Sequence, residues 1–480
     1  MNTHLLAMQL MAAQGCLGAF DTLYHHELTE ALPSRPTARR ELAIHAVRAT
    51  IYSALFIGLA GWSFQGGWAL LLLLVFGVEI VLTLWDFVVE DRTRLLPATE
   101  RVTHTVLAMN GGAFIALLAI GTPELMALPT ALVWQPQGDL SVFLALCGIG
   151  VGMSGLRDAY AARAIAPQAA PALHFGDGEQ SFLLTGATGF IGQRLVRALL
   201  RDGHRVTVLT RSPRQTAWMF DGRVECVADM EELPLSRRFD VVINLAGARI
   251  LGWRWTAARR AVLRRSRVEL TRKLVAWIAA AQHKPKLMLS ASAIGYYGVQ
   301  ARGDAAELSE QASPQPVFMS DLCREWEQAA QGAEAYGVQV ARMRFGLVLG
   351  TQGALPMMLL PVKLGLGGPL GCGTQWLSWI HVDDVIGAMA WLCRKGGSVG
   401  GAYNFTAPQT LTQGEFNRVA ASVLRRPYGM PTPGWPMRLL LGEQADLLLE
   451  GQRVVPARLT ADGYAFLYPR LDAALRSLRV

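Results

Sequence analysis

A glycine-spaced loop between a predicted strand and a predicted helix constrains this chain more than any other feature. The segment Ser181–Gly192 reads Ser-Phe-Leu-Leu-Thr-Gly-Ala-Thr-Gly-Phe-Ile-Gly, and an amphipathic stretch follows it. Its apolar start predicts a short buried strand. In a dinucleotide-binding turn, Gly186 would allow the tight bend, Gly189 would let backbone approach a pyrophosphate, and Gly192 would let the helix pack closely. With another strand predicted at 205–210, the sequence indicates a dinucleotide site.

The end of the second predicted strand bears on which dinucleotide binds. NAD enzymes place an Asp or Glu there, whereas an Arg accommodates the 2′-phosphate of NADP. This chain has Arg211 at that point, with no acidic residue among its neighbours in sequence. NADP(H) is therefore predicted over NAD(H). The alternative is that Arg211 is an ordinary solvated loop residue.

The composition indicates that part of the chain lies in a membrane. A chain of 480 residues exceeds what one core holds, so two or three domains are expected. Apolar residues make up 51% of the chain and charged residues only 17%. Segments long and apolar enough to cross a bilayer occur at 47–63, 68–89, 105–121 and 141–155.

The arginines predict how these spans are oriented. They precede the first span, lie between the second and third, and follow the fourth, whereas 64–67 and 122–139 contain no Lys or Arg. The positive-inside rule then predicts cytoplasmic termini and a multi-pass protein of a bacterial-type inner membrane, with its soluble part in the cytoplasm. Residues 1–19 lack the basic region of a cleavable signal peptide.

Histidines and carboxylates recur four residues apart near the predicted cytoplasmic ends of the spans. Because residues i and i+4 share a helix face, each pair could present two ligands in one direction, as in bundles that hold two metals. Known di-iron motifs use i+3, and pairing with nearby arginines is the alternative. The pairs are Asp21–His25, His26–Glu30, Glu41–His45, Asp86–Glu90 and Glu100–His104, with His25, His45, Glu90, Glu100 and His104 as the candidate metal ligands.

Glu79 lies in the middle of the second predicted span, where a carboxylate is costly. It shares a helix face with Thr83, Asp86 and Glu90, and Asn110 is its predicted hydrogen-bond partner. A functional role and a purely structural interhelical bond both remain open.

The chain is predicted to contain four segments with different roles. Alternating strands and helices after residue 181 predict a doubly wound α/β sheet of Rossmann type. The predicted segments are an all-α membrane bundle at 1–165, a linker rich in Ala and Pro at 166–180, the nucleotide domain at 181–425, and a small substrate or cap domain at 426–480.

Six motifs in this part of the chain resemble a known family. They are Asn244-Leu-Ala-Gly-Ala, Ser290-Ala-Ser-Ala-Ile-Gly-Tyr-Tyr-Gly298, Cys323-Arg-Glu-Trp-Glu327, Gly367-Gly-Pro-Leu-Gly371, Gln375-Trp-Leu-Ser-Trp-Ile-His-Val-Asp-Asp384 and Gly442-Glu-Gln-Ala-Asp-Leu-Leu-Leu-Glu-Gly-Gln-Arg453. With them the chain resembles the "epimerase family protein" group of atypical extended short-chain dehydrogenases, including its C-terminal domain. The resemblance covers about 181–478 and leaves out the predicted membrane half.

This resemblance implies a fold like that of nucleotide-sugar epimerases and an NADP-type cofactor. Arg211 would meet the 2′-phosphate. The nucleotide would contact Gly186, Thr188, Gly189, Phe190, Ile191 and Gly192, with Asn244, Leu245, Ala246 and Gly247 beside the adenosine and ribose.

The catalytic positions depart from the pattern of extended short-chain dehydrogenases. These enzymes use a Ser or Thr and a Tyr-x-x-x-Lys pair, in which the Lys lowers the pKa of the Tyr. None of the five lysines here has a Tyr four residues before it. Alignment puts Met319 and Cys323 at the Tyr and Lys positions. The remaining catalytic candidates are Ser292, Tyr296 and Tyr297; packing at a turn is the alternative for both tyrosines.

Three functional hypotheses follow from the sequence. The first is a membrane-anchored NADP(H)-dependent oxidoreductase or epimerase-like enzyme acting on a small molecule. The second is an NADPH-binding sensor or scaffold, and the third is a metal-dependent membrane enzyme served by the cofactor domain. The predicted partners are a small-molecule substrate and the bilayer. Nucleic acid is not predicted, because the basic helix at 256–282 lacks interleaved aromatic residues. The sequence leaves the substrate and the oligomeric state open.

Overall fold

The computed structural model describes residues 3–29, 32, 38–93, 96–164, 173–252, 254–396 and 399–478. The chain forms two compact units, Met1–Gln168 and Ala169–Val480. Most of the predicted linker and the predicted ligand Glu30 lie outside the described residues.

The first unit consists of long helices. Helix α1 continues directly into a π-helix, Asp21–Thr29. The short strands that follow α2 and α4 pair as a two-stranded antiparallel sheet. The helices and strands are α1 (Thr3–Phe20), α2 (Arg39–Gly61), β1 (Trp62–Phe64), α3 (Gly67–Thr93), α4 (Ala98–Met126), β2 (Leu132–Trp134) and α5 (Asp139–Ala164). Helices α2 to α5 contain stretches long and apolar enough to cross a membrane.

The structure differs from the predicted spans at two places. The first span was predicted to reach residue 63, but α2 ends at Gly61 because Trp62 pairs with Trp134 in the two-stranded sheet. Helix α1 lies within the predicted bundle at 1–165 but was not one of its four predicted spans. It packs nevertheless, with Ala7, Met8 and Met11 fully buried.

The second unit is built on a seven-stranded parallel sheet. Its strand order is β12-β8-β7-β6-β3-β4-β5. The strands are β3 (Ser181–Thr185), β4 (Arg205–Leu209), β5 (Glu225–Val227), β6 (Val241–Asn244), β7 (Leu287–Ala293), β8 (Gln339–Phe345) and β12 (Gly401–Phe405). From β3 the strands follow chain order toward one edge of the sheet, through β4 and β5. From β6 they follow chain order toward the other edge, through β7, β8 and β12. A doubly wound sheet binds ligands at such a reversal, beyond the carboxyl ends of its strands. The predicted Rossmann-type sheet is confirmed.

Helices cover both faces of this sheet, because its strands are buried on both sides. The helices are α6 (Phe190–Arg201), α7 (Pro213–Met219), α8 (Ala257–Arg264), α9 (Leu270–Ala280), α10 (Phe318–Gln331) and α12 (Val382–Lys395). Helix α11 (Leu355–Lys363) belongs to the smaller region instead. The predicted helix at 256–282 is interrupted by a π-turn, Arg265–Glu269, between α8 and α9.

A smaller region completes the second unit. It contains β9 (Leu347–Leu349), β10 (Trp376–Leu377), β11 (Trp379–His381), β13 (Leu411–Thr412), α13 (Gln413–Leu424), α14 (Trp435–Leu441), α15 (Asp446–Leu449), α16 (Ala457–Ala461) and α17 (Leu471–Ser477). Helix α17 packs with α11 and α13 in one apolar core, so the end of the chain is an integral part of this unit.

Candidate functional site

The glycine turn follows β3 at the reversal of the sheet. Gly186 has φ of +73°, and a Cβ there would lie 2.7 Å from the carbonyl carbon of Leu245 on the neighbouring loop. Gly192 faces the backbone of Gly186 and Ala187 so closely that a Cβ would overlap it. Gly189 is the N-cap of α6 and has ordinary extended backbone angles. Only glycine therefore suits positions 186 and 192, whereas position 189 is open above the helix N-terminus.

The second candidate cofactor loop follows β6 and is fixed by Asn244. The Asn244 side chain is buried, accepts from Thr185 Oγ1 at 2.7 Å and donates to Thr271 Oγ1 at 2.8 Å. The Ala246 N–H bonds Thr185 Oγ1 at 3.2 Å, which ties this loop to the glycine turn. The Asn244 side chain thus positions Leu245, Ala246 and Gly247 beside Gly186 and is itself occupied by protein partners.

Arg211 is exposed just beyond the end of β4. Within the described residues, no carboxylate lies within salt-bridge distance of its guanidinium. The neighbouring Thr210 and Thr216 hydroxyls are hydrogen-bonded to each other at 2.9 Å and shape the loop. The guanidinium is thus available to an anion at the edge of the sheet where the glycine turn lies.

Arg267 is a site residue that the sequence did not single out. It lies in the segment predicted as a basic helix at 256–282, and only 6% of the residue is exposed. Its guanidinium stacks near Trp326, donates to Ala248 O at 3.0 Å and lies about 3 Å from where a Gly247 Cβ would be. Burial lowers the pKa of Arg267 below its ordinary value. The π-turn in the helix, which turns this residue inward, has no clear sequence signal.

The predicted catalytic residue Ser292 is part of a buried ionic network. Glu327 on α10 accepts from both Nε and Nη2 of Arg344 on β8, at 2.7 and 2.9 Å, and from Ser292 Oγ at 2.7 Å. Ser292 and Arg344 are 2% and 3% exposed. The Ser292 hydroxyl therefore faces a structural salt bridge, which argues against its predicted catalytic role. Arg344 is likewise held by Glu327 and is not free to bind a substrate.

The two neighbouring tyrosines differ sharply in environment. Tyr297 is buried, donates to Asn404 Oδ1 at 2.7 Å and accepts from Arg344 Nη1 at 2.9 Å. Burial raises the pKa of Tyr297 to about 12, so its phenol stays protonated and structural. Tyr296 is half-buried, and its ring lies 3.5 Å from the Arg344 guanidinium carbon. Of the three predicted catalytic residues, only Tyr296 has a side chain that is neither buried nor fixed in this network.

The positions aligned with the missing Tyr-x-x-x-Lys pair are apolar in this fold. Cys323 is buried, and burial raises the pKa of its thiol to about 12. His381 caps α12 by accepting from the Asp383 N–H at 3.1 Å, and burial lowers its pKa to about 4. Neither group is an acid or base poised near neutral pH, and His381 orders a helix terminus.

In the first unit, histidines and carboxylates from the π-helix, α2, α3 and α4 converge. His45 Nε2 lies 3.1 Å from Asp86 Oδ2, and His104 Nδ1 lies 3.3 Å from Glu90 Oε2. Arg39 and Arg40 are exposed, as expected; the Arg92 side chain and Arg94 lie outside the described residues. Among the described residues, three groups have ligand atoms within 4.8 Å of one another: Asp21 with His26 and His104, Glu41 with His45 and Glu90, and Glu90 with Glu100 and His104.

One predicted metal ligand is displaced from this cluster. His25 belongs to none of the three groups and instead contacts Asp21 Oδ1 at 2.8 Å and Thr99. The π-helix has a wider turn than an α-helix. The next residue, His26, belongs to the group with Asp21 and His104. The His26 ring stacks on His45 with 4.7 Å between centroids.

The predicted pairing of Glu79 with Asn110 is wrong. Glu79 accepts from Thr83 Oγ1 at 2.7 Å and from Arg48 at 3.2 Å, so a cation from α2 neutralises it. Asn110 instead donates to Gln14 and to the Leu10 carbonyl on α1.

Comparisons with known proteins match the second unit. The model of the NAD dependent epimerase/dehydratase family matches residues 182–405, and a domain of unknown function (DUF1731) matches 432–478. Epimerase family protein YfhF of Bacillus subtilis is 37% identical over 303 residues, which cover 62% of this chain and 96% of that protein. A chloroplastic epimerase family protein of Arabidopsis thaliana is 37% identical over 309 residues, or 63% of this chain and 87% of that protein.

A solved structure shows the same similarity. The human epimerase family protein SDR39U1 (isoform 2), crystallised with NADPH, is 34% identical and matches with a TM-score of 0.56. The match covers 62% of this chain and 98% of the human one. The parallel sheet and its glycine turn define a dinucleotide-binding fold of the extended short-chain dehydrogenase type. This chain belongs to the epimerase family within that class, and its C-terminal region is the DUF1731 domain that the sequence motifs predicted.

Proposed function

We propose that this protein is a membrane-anchored, NADP(H)-dependent oxidoreductase or epimerase-like enzyme that acts on a small molecule at the cytoplasmic face. The observation that carries the proposal is the glycine turn at the reversal of the sheet, where positions 186 and 192 have no room for a side chain. That cradle and the α6 N-terminus fit a pyrophosphate. The human relative of similar sequence was crystallised with NADPH.

The residues around the turn have distinct parts in holding the cofactor. Backbone N–H groups of Phe190 and Ile191 at the start of α6 would bind the pyrophosphate, and Arg211 would pair with the 2′-phosphate. The buried Arg267 supports the loop at Gly247 and adds positive potential beside it. When bound, NADP(H) supplies or accepts a hydride.

Arg211→Asp is expected to narrow or reverse a preference for NADPH over NADH. The wild-type chain should bind NADPH at least several-fold more tightly, because one charge-assisted pairing contributes roughly 1.5–3 kcal/mol. Calorimetric titration with both cofactors measures the ratio. Arg214→Asp, a neighbouring exposed arginine on α7, is the matched control and should change the ratio less. Equal wild-type affinities for the two cofactors would remove the argument for NADP.

Tyr296 is the proposed proton donor or acceptor. Its phenol follows β7 at the carboxyl edge of the sheet, and the Arg344 guanidinium lies against its ring. Arg344 thus orients the Tyr296 ring through a cation–π contact. Ser292 and Tyr297 hold Glu327 and Arg344 in place from the buried side.

Tyr296→Phe is expected to lower hydride exchange between NADPH and a metabolite panel by about 100-fold or more, with unchanged NADPH affinity. Tyr297→Phe is the matched control, because it removes a phenol that is buried and bonded to Asn404. That variant should lose stability and retain exchange within a few-fold when assayed folded. Equal losses of exchange in the two variants would contradict the role given to Tyr296.

A cofactor-binding sensor or scaffold is the second candidate function. It is favoured by one observation: the positions of the usual Tyr-x-x-x-Lys pair hold the partly buried Met319 and the buried Cys323 on α10, and neither is suited to proton transfer. In this case the wild-type protein would bind NADPH and exchange no hydride with any metabolite of the panel.

The membrane anchoring is supported by the surface of the first unit. Large apolar side chains project outward from α3, α4 and α5, including Val81, Ile120 and Leu156, which are 63%, 69% and 75% exposed. A contiguous apolar exterior on helices of this length suits lipid. Strands β1 and β2 pair with each other beside the two arginine-free connecting segments, 64–67 and 122–139, as expected for one side of an up-and-down bundle. The arginine distribution then assigns the opposite side to the cytoplasm.

A further inference from the structure

The first unit contains a buried cluster of imidazoles and carboxylates that the proposed NADP(H) chemistry does not use. Four helical segments contribute to it, so residues far apart in sequence meet in the interior of the bundle. Asp21, Glu41, Asp86, Glu90 and Glu100 are all buried to at least 94%. The imidazoles among them are those of His26, His45 and His104.

Glu90 lies between two of the ligand groups. Its Oε1 lies 3.9 Å from His45 Nε2, and its Oε2 lies 3.3 Å from His104 Nδ1. The first group is completed by Glu41 and the second by Glu100. Ligand atoms around one metal ion are separated by such distances when each metal–ligand bond is about 2 Å. The two oxygens of one carboxylate therefore face two separate sets of ligands.

His104 is oriented by a further carboxylate, because Asp21 Oδ2 lies 3.1 Å from its Nε2 while its Nδ1 faces Glu90. Metal-bound histidines typically use their second nitrogen in this way, which fixes the ring orientation. His45 differs, since its Nε2 lies near both Asp86 Oδ2, at 3.1 Å, and Glu90 Oε1. The other nitrogen of His45, Nδ1, is buried and has no hydrogen-bond partner within the described part of the chain, and the same holds for Asp86 Oδ1.

The cluster is rich in acidic groups. Five carboxylates lie buried around the histidines, and Arg48 pairs with one of them, Asp86, at 2.6 Å while it also neutralises Glu79. Buried carboxylates in an apolar bundle must be paired or must coordinate metals. Two divalent ions would bring four positive charges and leave the imidazoles neutral, as coordination requires.

We propose that this cluster binds two divalent first-row transition-metal ions, with one oxygen of Glu90 on each. One ion is held by Glu41, His45 and Glu90. The other is held by Glu90, Glu100 and His104. A mixed imidazole and carboxylate donor set suits Fe²⁺, Mn²⁺, Co²⁺ or Zn²⁺ and disfavours Cu⁺, which prefers sulfur.

The test measures metal on the full-length chain in detergent. The protein is stripped with chelator and then incubated separately with Mn²⁺, Co²⁺, Zn²⁺ or anaerobic Fe²⁺. After excess metal is removed, the number of metal ions bound per chain is measured by elemental mass spectrometry. Roughly two ions per chain are expected for at least one metal. The Co²⁺ form should show visible absorption that reports nitrogen and oxygen ligands. Absence of bound metal under all four conditions would overturn the proposal, and one ion per chain would overturn the two-ion arrangement.

Variants assign the metal to these residues. Glu90→Gln should lose most of the bound metal, because it removes a ligand from both positions. Asp158→Asn is the matched control: Asp158 is a buried carboxylate of α5 that belongs to none of the three groups and pairs with Arg157. It should keep both ions. Undiminished metal in Glu90→Gln, or equal loss in Asp158→Asn, would contradict the assignment.

Two further measurements separate metal loss from misfolding. The NADPH affinity of each variant reports on the second unit and should remain that of the wild type, whether or not metal binds. The unfolding temperature of the wild-type chain should rise when the stripped protein takes up metal and fall again with chelator. An unfolding temperature insensitive to metal would contradict a site whose ligands come from α2, α3 and α4, even where a variant fails to fold.

Discussion

Replacing Gly189 by Asp is expected to abolish NADPH binding and to leave the second unit folded. Gly189 is the N-cap of α6, its backbone angles suit any residue, and a Cβ there meets only the Gly186 carbonyl, at 3.3 Å. Asp is a favoured N-cap residue, so its carboxylate would bond the N–H groups at the helix start and stabilise α6. The same carboxylate would occupy and repel the pyrophosphate position. Calorimetry measures the affinity, and thermal unfolding measures the stability.

Two glycine variants are the controls for this result. Gly189→Ala adds volume without charge and should weaken binding much less. Gly192→Ala should instead destabilise the unit by about 2 kcal/mol or more, because its Cβ would overlap the backbone of Gly186. NADPH affinity retained in Gly189→Asp would place the cofactor elsewhere.

Glu327→Ala is expected to cause the largest loss of stability of any single substitution proposed for the second unit. It would leave the Arg344 guanidinium buried without its bidentate partner and would remove the acceptor of Ser292. Breaking a buried pair by removing one partner typically costs about 3–5 kcal/mol. Denaturant unfolding of the second compact unit, residues 169–480, measures the change.

The double variant Glu327→Ala/Arg344→Met tests the cause. It replaces both charges by apolar groups, so most of the lost stability should return. Arg324→Ala, which breaks the exposed pair with Asp321 on the same helix, should cost less than about 1 kcal/mol. A double variant no more stable than Glu327→Ala would mean that packing, and not the uncompensated charge, causes the loss.

The sequence predicted the cofactor half of the site because its determinants are local. Gly186, Gly189 and Gly192 lie within one turn, and their spacing reflects contacts made within a few residues along the chain. The strands and the helix that follow were predicted close to their observed bounds for the same reason: apolar runs and glycine turns are read directly from sequence. The family motifs extended this to the DUF1731 domain.

The sequence did not reveal the network around Ser292. Its members Glu327, Arg344 and Asn404 come from α10, β8 and β12, and nothing in their spacing shows that the sheet brings them together. Ser292 and Tyr297 were catalytic candidates because they lie near the carboxyl end of β7, where this class places its catalytic hydroxyls. Both are buried in this network, which argues against those roles, and sequence shows the burial of polar residues poorly.

The same limits appear in the first unit. The i+4 spacing predicted that carboxylates and imidazoles share helix faces, and two of the predicted pairs, Glu41–His45 and Glu100–His104, each lie within one group of converging ligand atoms. The exchange of His25 for His26 depends on a π-helix, whose extra residue per turn has no sequence signature. Arg48 was read only as an orientation signal, whereas it reaches Glu79 and Asp86 one helix away.

Hydrogen exchange of the full-length chain, with and without NADPH, tests the central claim most directly. The account predicts that NADPH slows exchange of backbone amides in the peptides that contain 186–192 and 244–247, and that Gly189→Asp shows no such protection. The first segment carries the amides proposed to bind the pyrophosphate, and the second is tied to it through Thr185. NADPH that binds the wild-type chain while both segments exchange at their unliganded rates would contradict the assigned site.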